Sequence, residues 1–247
     1  MESIPYRNTK LLVKTIPKGT LLFRLTSNVE NDLRGILKSD GTRCIVPNHN
    51  VFFYPNPFVA KIALGIFIKN YEGMKIFILN RDVKVLWLLN PSKYSRVTKN
   101  TKRNFIKRCD PKKSGCLPVR NTGMLAKYNI CLSDTMIKKH PDIVGSIALS
   151  VGDAGRITEA VRNKTLRNKK FYHFADDHAG IHSIPELVLH PLPKRPTEDV
   201  IVKPEDEIET NYSLLKRVNA NDYNKLVKFM EDHAVYDPET FFYRYKE

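Results

Sequence analysis

The chain lacks most of the signals that name a chemistry outright. Its four cysteines, Cys44, Cys109, Cys116 and Cys131, form no C-x-x-C pair. That excludes a zinc ribbon or a redox motif and leaves reduced thiols in an intracellular compartment as the expectation. Long hydrophobic runs are missing as well. The longest, residues 62–68 and 83–89, fall far short of the roughly 20 apolar residues that cross a bilayer. No apolar segment follows a basic start, so a soluble protein that does not use the signal-peptide route is expected, with no membrane span. There is no G-x-S-x-G nucleophile elbow, and Gly152-Asp153-Ala154-Gly155 completes neither a phosphate loop nor a dinucleotide fingerprint. Internal repeats and long low-complexity segments are absent.

Charge is present, and unevenly. The 247 residues carry a formal net charge of +15, and 42% hydrophobic content suffices for a sizeable core. From Glu198 onward there are 12 acidic and 7 basic side chains, whereas residues 1–197 hold 34 basic and 14 acidic ones. The body is basic and the tail acidic. This asymmetry points to nucleic acid, nucleotide phosphates or an acidic protein as partner; on its own it is also what a solubilising surface looks like.

Local patterns divide the chain into a basic α+β domain (1–192), an acidic, Pro-rich linker (193–210) and a C-terminal helical tail (211–247). Residues 10–27 read as two short strands broken by Pro17-Lys18-Gly19, with Arg24 inside the apolar run Thr20–Leu25. A guanidinium there either snorkels to water or meets an anion. Val51-Phe52-Phe53-Tyr54 is an aromatic strand ended by Pro55 and Pro57. Helical spacing then predicts a helix over 58–69. Met74–Leu79 and Val83–Leu89 read as buried strands split by Asn80-Arg81-Asp82. Leu187-Val188-Leu189 is a short strand, Tyr212–Asp232 fits one or two amphipathic helices, and the terminal aromatics of FFYRYKE are expected to dock on the body or a partner.

Two basic runs stand out. Residues 93–120 hold ten cations against the single acid Asp110, among them Lys99, Lys102, Arg103, Lys107, Arg108, Lys112 and Lys113, the candidate nucleic-acid contacts. A second run covers 156–170. Neither matches an RNA-binding signature, and a solvated face reads the same way. His173, Asp176, Asp177, His178 and His182 have metal-ligand types, but H-A-G-I-H lacks the glutamate of the zinc-protease motif and Gly180 interrupts the turn of helix it needs, so no metal site is expected.

A distributed constellation remains. Leu22-Phe23-Arg24 is an early apolar-aromatic-arginine strand, Val51-Phe52-Phe53-Tyr54 an aromatic strand opening a helix, and Pro185-Glu186-Leu187-Val188-Leu189 a late strand introduced by a glutamate. Over roughly residues 10–192 this order resembles the ADP-ribosyltransferase fold, with its poly-ADP-ribosyltransferase-like and toxin-like branches. The resemblance implies an α+β fold with a mixed, largely antiparallel split sheet, and NAD as substrate. It implies Glu186 as the catalytic carboxylate, Arg24 as a phosphate or ribose contact, and Phe53 and Tyr54 lining the nicotinamide side. The chain departs from the arginine-type branch where Phe52-Phe53-Tyr54 replaces S-T-S, so the hydroxyl that braces the glutamate is either missing or supplied by Tyr54. Ile184 stands where that branch has a second acidic or glutamine residue.

Two functions follow as expectations. One is transfer of ADP-ribose from NAD to a macromolecular acceptor, the basic body guiding a nucleic acid or acidic protein. The other is a non-catalytic structural or interaction protein, such as a virion component or nucleic-acid-packaging factor. The Lys-, Asn- and Ile-rich wording is similar to that of large DNA viruses with AT-rich genomes; an intracellular, soluble protein is expected, in the cytoplasm or a virion if it is viral.

Overall fold

The computed structural model describes residues 2–6, 9–26, 36–37, 43–44, 51–64, 73–88, 139–149, 171, 175–176, 182–183, 185–189 and 211–247. Strands β1 (Glu2–Tyr6), β2 (Thr9–Ile16) and β3 (Thr20–Thr26) come first, followed by β4 (Ile36–Leu37), β5 (Arg43–Cys44) and β6 (Val51–Phe53). Helix α1 (Pro57–Leu64) leads to β7 (Gly73–Leu79) and β8 (Val83–Leu88). Then come β9 (Ile143–Leu149), β10 (Ala175–Asp176), β11 (His182–Ser183) and β12 (Pro185–Leu189). The chain closes with β13 (Tyr212–Val218), α2 (Tyr223–His233), β14 (Ala234–Asp237) and β15 (Phe242–Tyr245).

A bent antiparallel ribbon ties these elements together. β2 pairs with β8 and β3 with β7, and the register runs unbroken through the bend: five residues on from Ile16↔Val83 along one arm, and five back along the other, lies Leu21↔Ile78. The two polar turns expected from the sequence form the corner. Gly19 adopts φ 81°, a left-handed conformation that favours glycine. Its N–H donates to the Leu79 carbonyl at 2.9 Å, and the Lys18 N–H donates to Asp82 Oδ1 at 2.7 Å. Each turn thus carries its strand from one sheet into the other while holding its neighbour.

One half of the ribbon lies in a six-stranded sheet, β1-β2-β8-β9-β12-β6, and the other in a five-stranded sheet, β13-β7-β3-β15-β14. Among the described residues, only the β8–β9 pair is parallel in these two sheets. Between the sheets lies a core of Ile16, Leu22, Phe53, Phe77, Val85, Trp87, Ile147, Leu187, Tyr212 and Phe242, among others. On the far side of the five-stranded sheet, a second core joins Leu21, Phe23, Leu25, Tyr54, Met74 and Ile76 to α1 and α2 through Phe58, Val59, Leu226, Phe229 and Met230. Strand alternation decides membership: Leu22 faces one core, Phe23 the other. Each fully buried Leu, Ile or Phe contributes about 1.5–3 kcal/mol, so these two cores dominate the stability.

The α+β class with mostly antiparallel sheets agrees with the sequence expectation. The C-terminal part differs from it. Helix α2 is present, capped by Asp222 and burying Leu226, Phe229 and Met230 at i, i+3, i+4 spacing. Residues 212–218, expected as helix, form β13 instead. A register shift between Leu214 and Lys216 marks a bulge at Leu215. The bulge breaks the alternation of a strand, so apolar residues at 214, 215 and 218 mimic helical spacing. β13, β14 and β15 supply three strands of the five-stranded sheet, so this segment is integral to the body. Its terminal aromatics dock as expected, with Phe242 and Tyr243 both buried. The expected linker 193–210 lies outside the described residues.

Candidate functional site

The three segments of the sequence constellation fold onto neighbouring strands. Phe23 of β3 and Tyr54 form an antiparallel bridge, donating N–H groups to each other's carbonyls at 2.9 and 2.8 Å. Tyr54 directly follows β6, whose Phe53 is the register partner of Leu187 in β12. Tyr54, bridged to Phe23, and Glu186 thus each lie one residue beyond the Phe53–Leu187 pair that ends the β6–β12 ladder.

Burial shapes both positions. Glu186 is 8% exposed and Tyr54 3%, and both engage in polar or ring interactions. A carboxylate so enclosed is retained only where its polar atoms are satisfied, which makes it a stronger candidate than any exposed acid. On its other side Glu186 pairs with Ala148 of β9, so the strand that carries it is held from both flanks.

Arg24 and Phe53 stand on the opposite face. Leu22 and Phe53 both belong to the inter-sheet core, and Arg24 shares their side of β3 by alternation. The Phe53 ring is fully buried, in edge contacts with Phe77 and Tyr212 at centroid distances of 5.5 and 4.9 Å. The structure thus brings Glu186 and Tyr54 together and separates them from Arg24 and Phe53. The basic candidates Lys99, Lys102, Arg103, Lys107, Arg108, Lys112 and Lys113 lie outside the described residues. Of the His/Asp cluster, Asp176 and His182 are register partners in the β10–β11 ladder, and His173, Asp177 and His178 lie outside the described residues.

The turn after Tyr54 is built with care. Pro57 opens α1 at the first helical position, where its missing N–H costs nothing. Asn56, 4% exposed, caps the helix: its Oδ1 accepts from the Phe58 N–H at 2.8 Å, and its Nδ2 donates to the Phe171 carbonyl. The Tyr243 hydroxyl donates to the same carbonyl at 2.9 Å. Burial pushes that hydroxyl well above its usual pKa, which keeps it protonated as a donor. Phe171, next in sequence to the basic run 156–170, is thereby pinned beside the Phe58 ring, stacked at 5.7 Å.

The sequence reading missed Asn56 and Lys75. Asn56 sits between two prolines at the strand-to-helix junction, a position that signals a cap. Lys75 is 4% exposed, and a lysine inside the apolar run Met74–Leu79 is the signal for it.

No protein-family model matches the chain, and no curated protein or solved structure matches it either.

Proposed function

We propose that this chain performs ADP-ribosyltransferase-like chemistry, moving ADP-ribose from NAD to a macromolecular acceptor, with Glu186 as the acting carboxylate and Tyr54 as the hydroxyl beside it. One observation carries the reading: segments from three distant parts of the sequence meet on adjacent strands, Phe23 bridging Tyr54 and Leu187 pairing with Phe53, so that Glu186 and Tyr54 both stand next to that last pair. On this reading Tyr54 would supply the bracing hydroxyl that the departure from S-T-S removes.

The chemistry suits a buried carboxylate. Breaking the bond between ribose C1′ and the nicotinamide nitrogen releases neutral nicotinamide with the bonding pair and leaves an oxocarbenium-like sugar. A carboxylate held near the ribose 2′-OH stabilises that positive charge, as it does in glycoside hydrolysis. An acceptor nucleophile then bonds to C1′ and gives up its proton. Arg24 and Phe53, on the other face, have no part in this grouping, so the reading rests on Glu186 and Tyr54. The basic body would guide a nucleic acid or acidic protein acceptor.

The enclosure of Phe53 and Tyr54 within packed cores favours a second reading, a non-catalytic structural or interaction protein. Thermal unfolding with NAD separates the two. A ligand bound only by the folded state, at about 100 times its Kd, stabilises it by roughly 2.7 kcal/mol. A rise in Tm with millimolar NAD supports the transfer reading; an unchanged Tm removes it and leaves the interaction protein.

A further inference from the structure

The turn between β14 and β15 carries a backbone outlier. Phe241 has φ 64°, and among the described residues no other non-glycine residue has a positive φ. A bulky side chain is sterically costly in this left-handed region. The pairing of β15 explains the detour. β15 lies beside β3 through Arg244↔Thr20 and Tyr243↔Leu21. Two residues further, that register would bring Phe241 opposite Phe23, but the Phe23 N–H and C=O are both engaged by Tyr54, at 2.9 and 2.8 Å. Side chains follow the same rule. Tyr243 packs with Phe23 on the helix side of the sheet, and alternation would place the Phe241 ring on that side too. Tyr54 is the aromatic residue found there, whereas Phe241 packs against the inter-sheet core. Tyr54 thus takes both the backbone and the side-chain place to which β15 leads.

The displaced turn is held on the six-stranded sheet instead. The Phe241 ring stacks on Trp87 at a centroid distance of 6.2 Å and an interplanar angle of 21°. Lys14 Nζ lies 4.6 Å from the Trp87 ring centroid and donates to the Glu239 carbonyl. Within the turn, the Phe241 N–H donates to the Asp237 carbonyl at 2.9 Å and Thr240 Oγ1 to Asp237 Oδ2 at 3.0 Å, so the tip is a preformed unit. Backbone strain persists only where surrounding contacts hold it, and here those contacts belong to the other sheet.

We infer that Tyr54 and Phe241 are alternative occupants of one place on β3 and form a conformational switch. In the state described, Tyr54 bridges Phe23 and Phe241 is latched on Trp87. In the other, β15 extends by two residues, and Phe241 leaves the left-handed region to exchange backbone hydrogen bonds with Phe23. Trp87 is then uncovered and Tyr54 released from β3. The Phe23 groups keep partners in both states, and relief of the φ strain offsets loss of the Trp87 stack, which makes the element bistable. This exchange rests on strand pairing alone and stands independently of the transfer chemistry proposed above; where that chemistry operates, it sets whether Tyr54 is in place.

Native-state hydrogen exchange of the full chain, read by NMR as protection factors of the Phe23 and Tyr54 amides, tests this. When partners are exchanged, the Phe23 N–H passes from the Tyr54 carbonyl to that of Phe241 and stays protected, whereas the Tyr54 N–H loses its acceptor. Protection of Tyr54 is therefore expected about tenfold or more below that of Phe23 in the wild type. Lys14→Met frees the Glu239 carbonyl at a partly exposed side chain, and Trp87→Leu removes the stack. Each should lower Tyr54 protection further, by about threefold or more, and leave Phe23 unchanged. Lys14→Met should also raise acrylamide quenching of Trp87, the sole tryptophan. The wild type and Lys14→Met decide the matter even where Trp87→Leu does not fold. Equal protection of the two amides in the wild type with equal loss in Lys14→Met is ordinary fraying and overturns the inference. Tyr54 protection untouched by Lys14→Met overturns it as well.

Discussion

Tyr54 exchanges both of its backbone hydrogen bonds with Phe23, and this bridge joins the edge strand of the six-stranded sheet to the centre of the five-stranded one. The two sheets are thus linked twice, here and through the bent ribbon at Gly19. Placement of Glu186 depends on the first of these: β12 is aligned by β6, and β6 leads directly into the bridge to β3.

Gly145 of β9 is the register partner of Leu189 in β12, the strand that carries Glu186, and leaves no room for a side chain. A Cβ at this position would lie 2.3 Å from the Val188 carbonyl oxygen and 3.1 Å from Leu189 Cδ2. Because the obstacle is backbone, β9 and β12 would have to separate. Gly145→Ala is expected to destabilise the fold by about 1–3 kcal/mol, read as a lower denaturation midpoint.

Asn56 supports the turn that follows Tyr54. Asn56→Ala removes the α1 cap and one of the two donors to the Phe171 carbonyl, both in a buried setting. A loss of about 2 kcal/mol is expected in urea denaturation. Tyr243→Phe, which removes the other donor at 2.9 Å, should couple to it in a double-mutant cycle, since both act on one oxygen.

A surface network gives a pH signature. Lys84 Nζ lies 2.9 Å from Glu2 Oε2 and 3.0 Å from Asp142 Oδ2, joining β1, β8 and the lead-in to β9. The hydrogen bond from Lys84 holds the Asp142 carboxyl below its usual 3.8, and the hydrogen bonds to Glu2 and Asp142 hold Lys84 above 10.5. The Asp142 contribution is therefore complete above its unfolded pKa and is lost as pH falls through the lowered folded value. The Lys84 contribution is complete below its unfolded pKa and is lost as pH rises through the raised one. The stability difference between the wild type and Lys84→Met should be widest between these limits and shrink at both ends. A difference that stays constant into acid would contradict the assignment; denaturation curves across the pH range measure it.

Much of the local structure was legible in the sequence. Pro17-Lys18-Gly19 and Asn80-Arg81-Asp82 marked the turns, the apolar runs beside them marked β2, β3, β7 and β8, and Glu186 stood at the head of β12. The order of the strands was not legible, because a turn between two strands reads alike whether they pair with each other or pass into different sheets. β13 was hidden by its bulge, which replaces strand alternation with helix-like spacing. At the site, the sequence singled out Glu186, Tyr54, Arg24 and Phe53 but could not assign faces. Faces follow from pairing partners, Phe23 for Tyr54 and Leu187 for Phe53, that lie far away in the chain.

Release of nicotinamide from NAD, compared between the wild type and Glu186→Gln, tests the proposed chemistry most directly. The amide keeps the shape of the side chain and removes the charge that would stabilise the oxocarbenium-like state. The wild type should release nicotinamide, and Glu186→Gln should do so about 100-fold more slowly or worse while keeping the NAD-induced rise in Tm. Equal rates in the two proteins would contradict the role of Glu186.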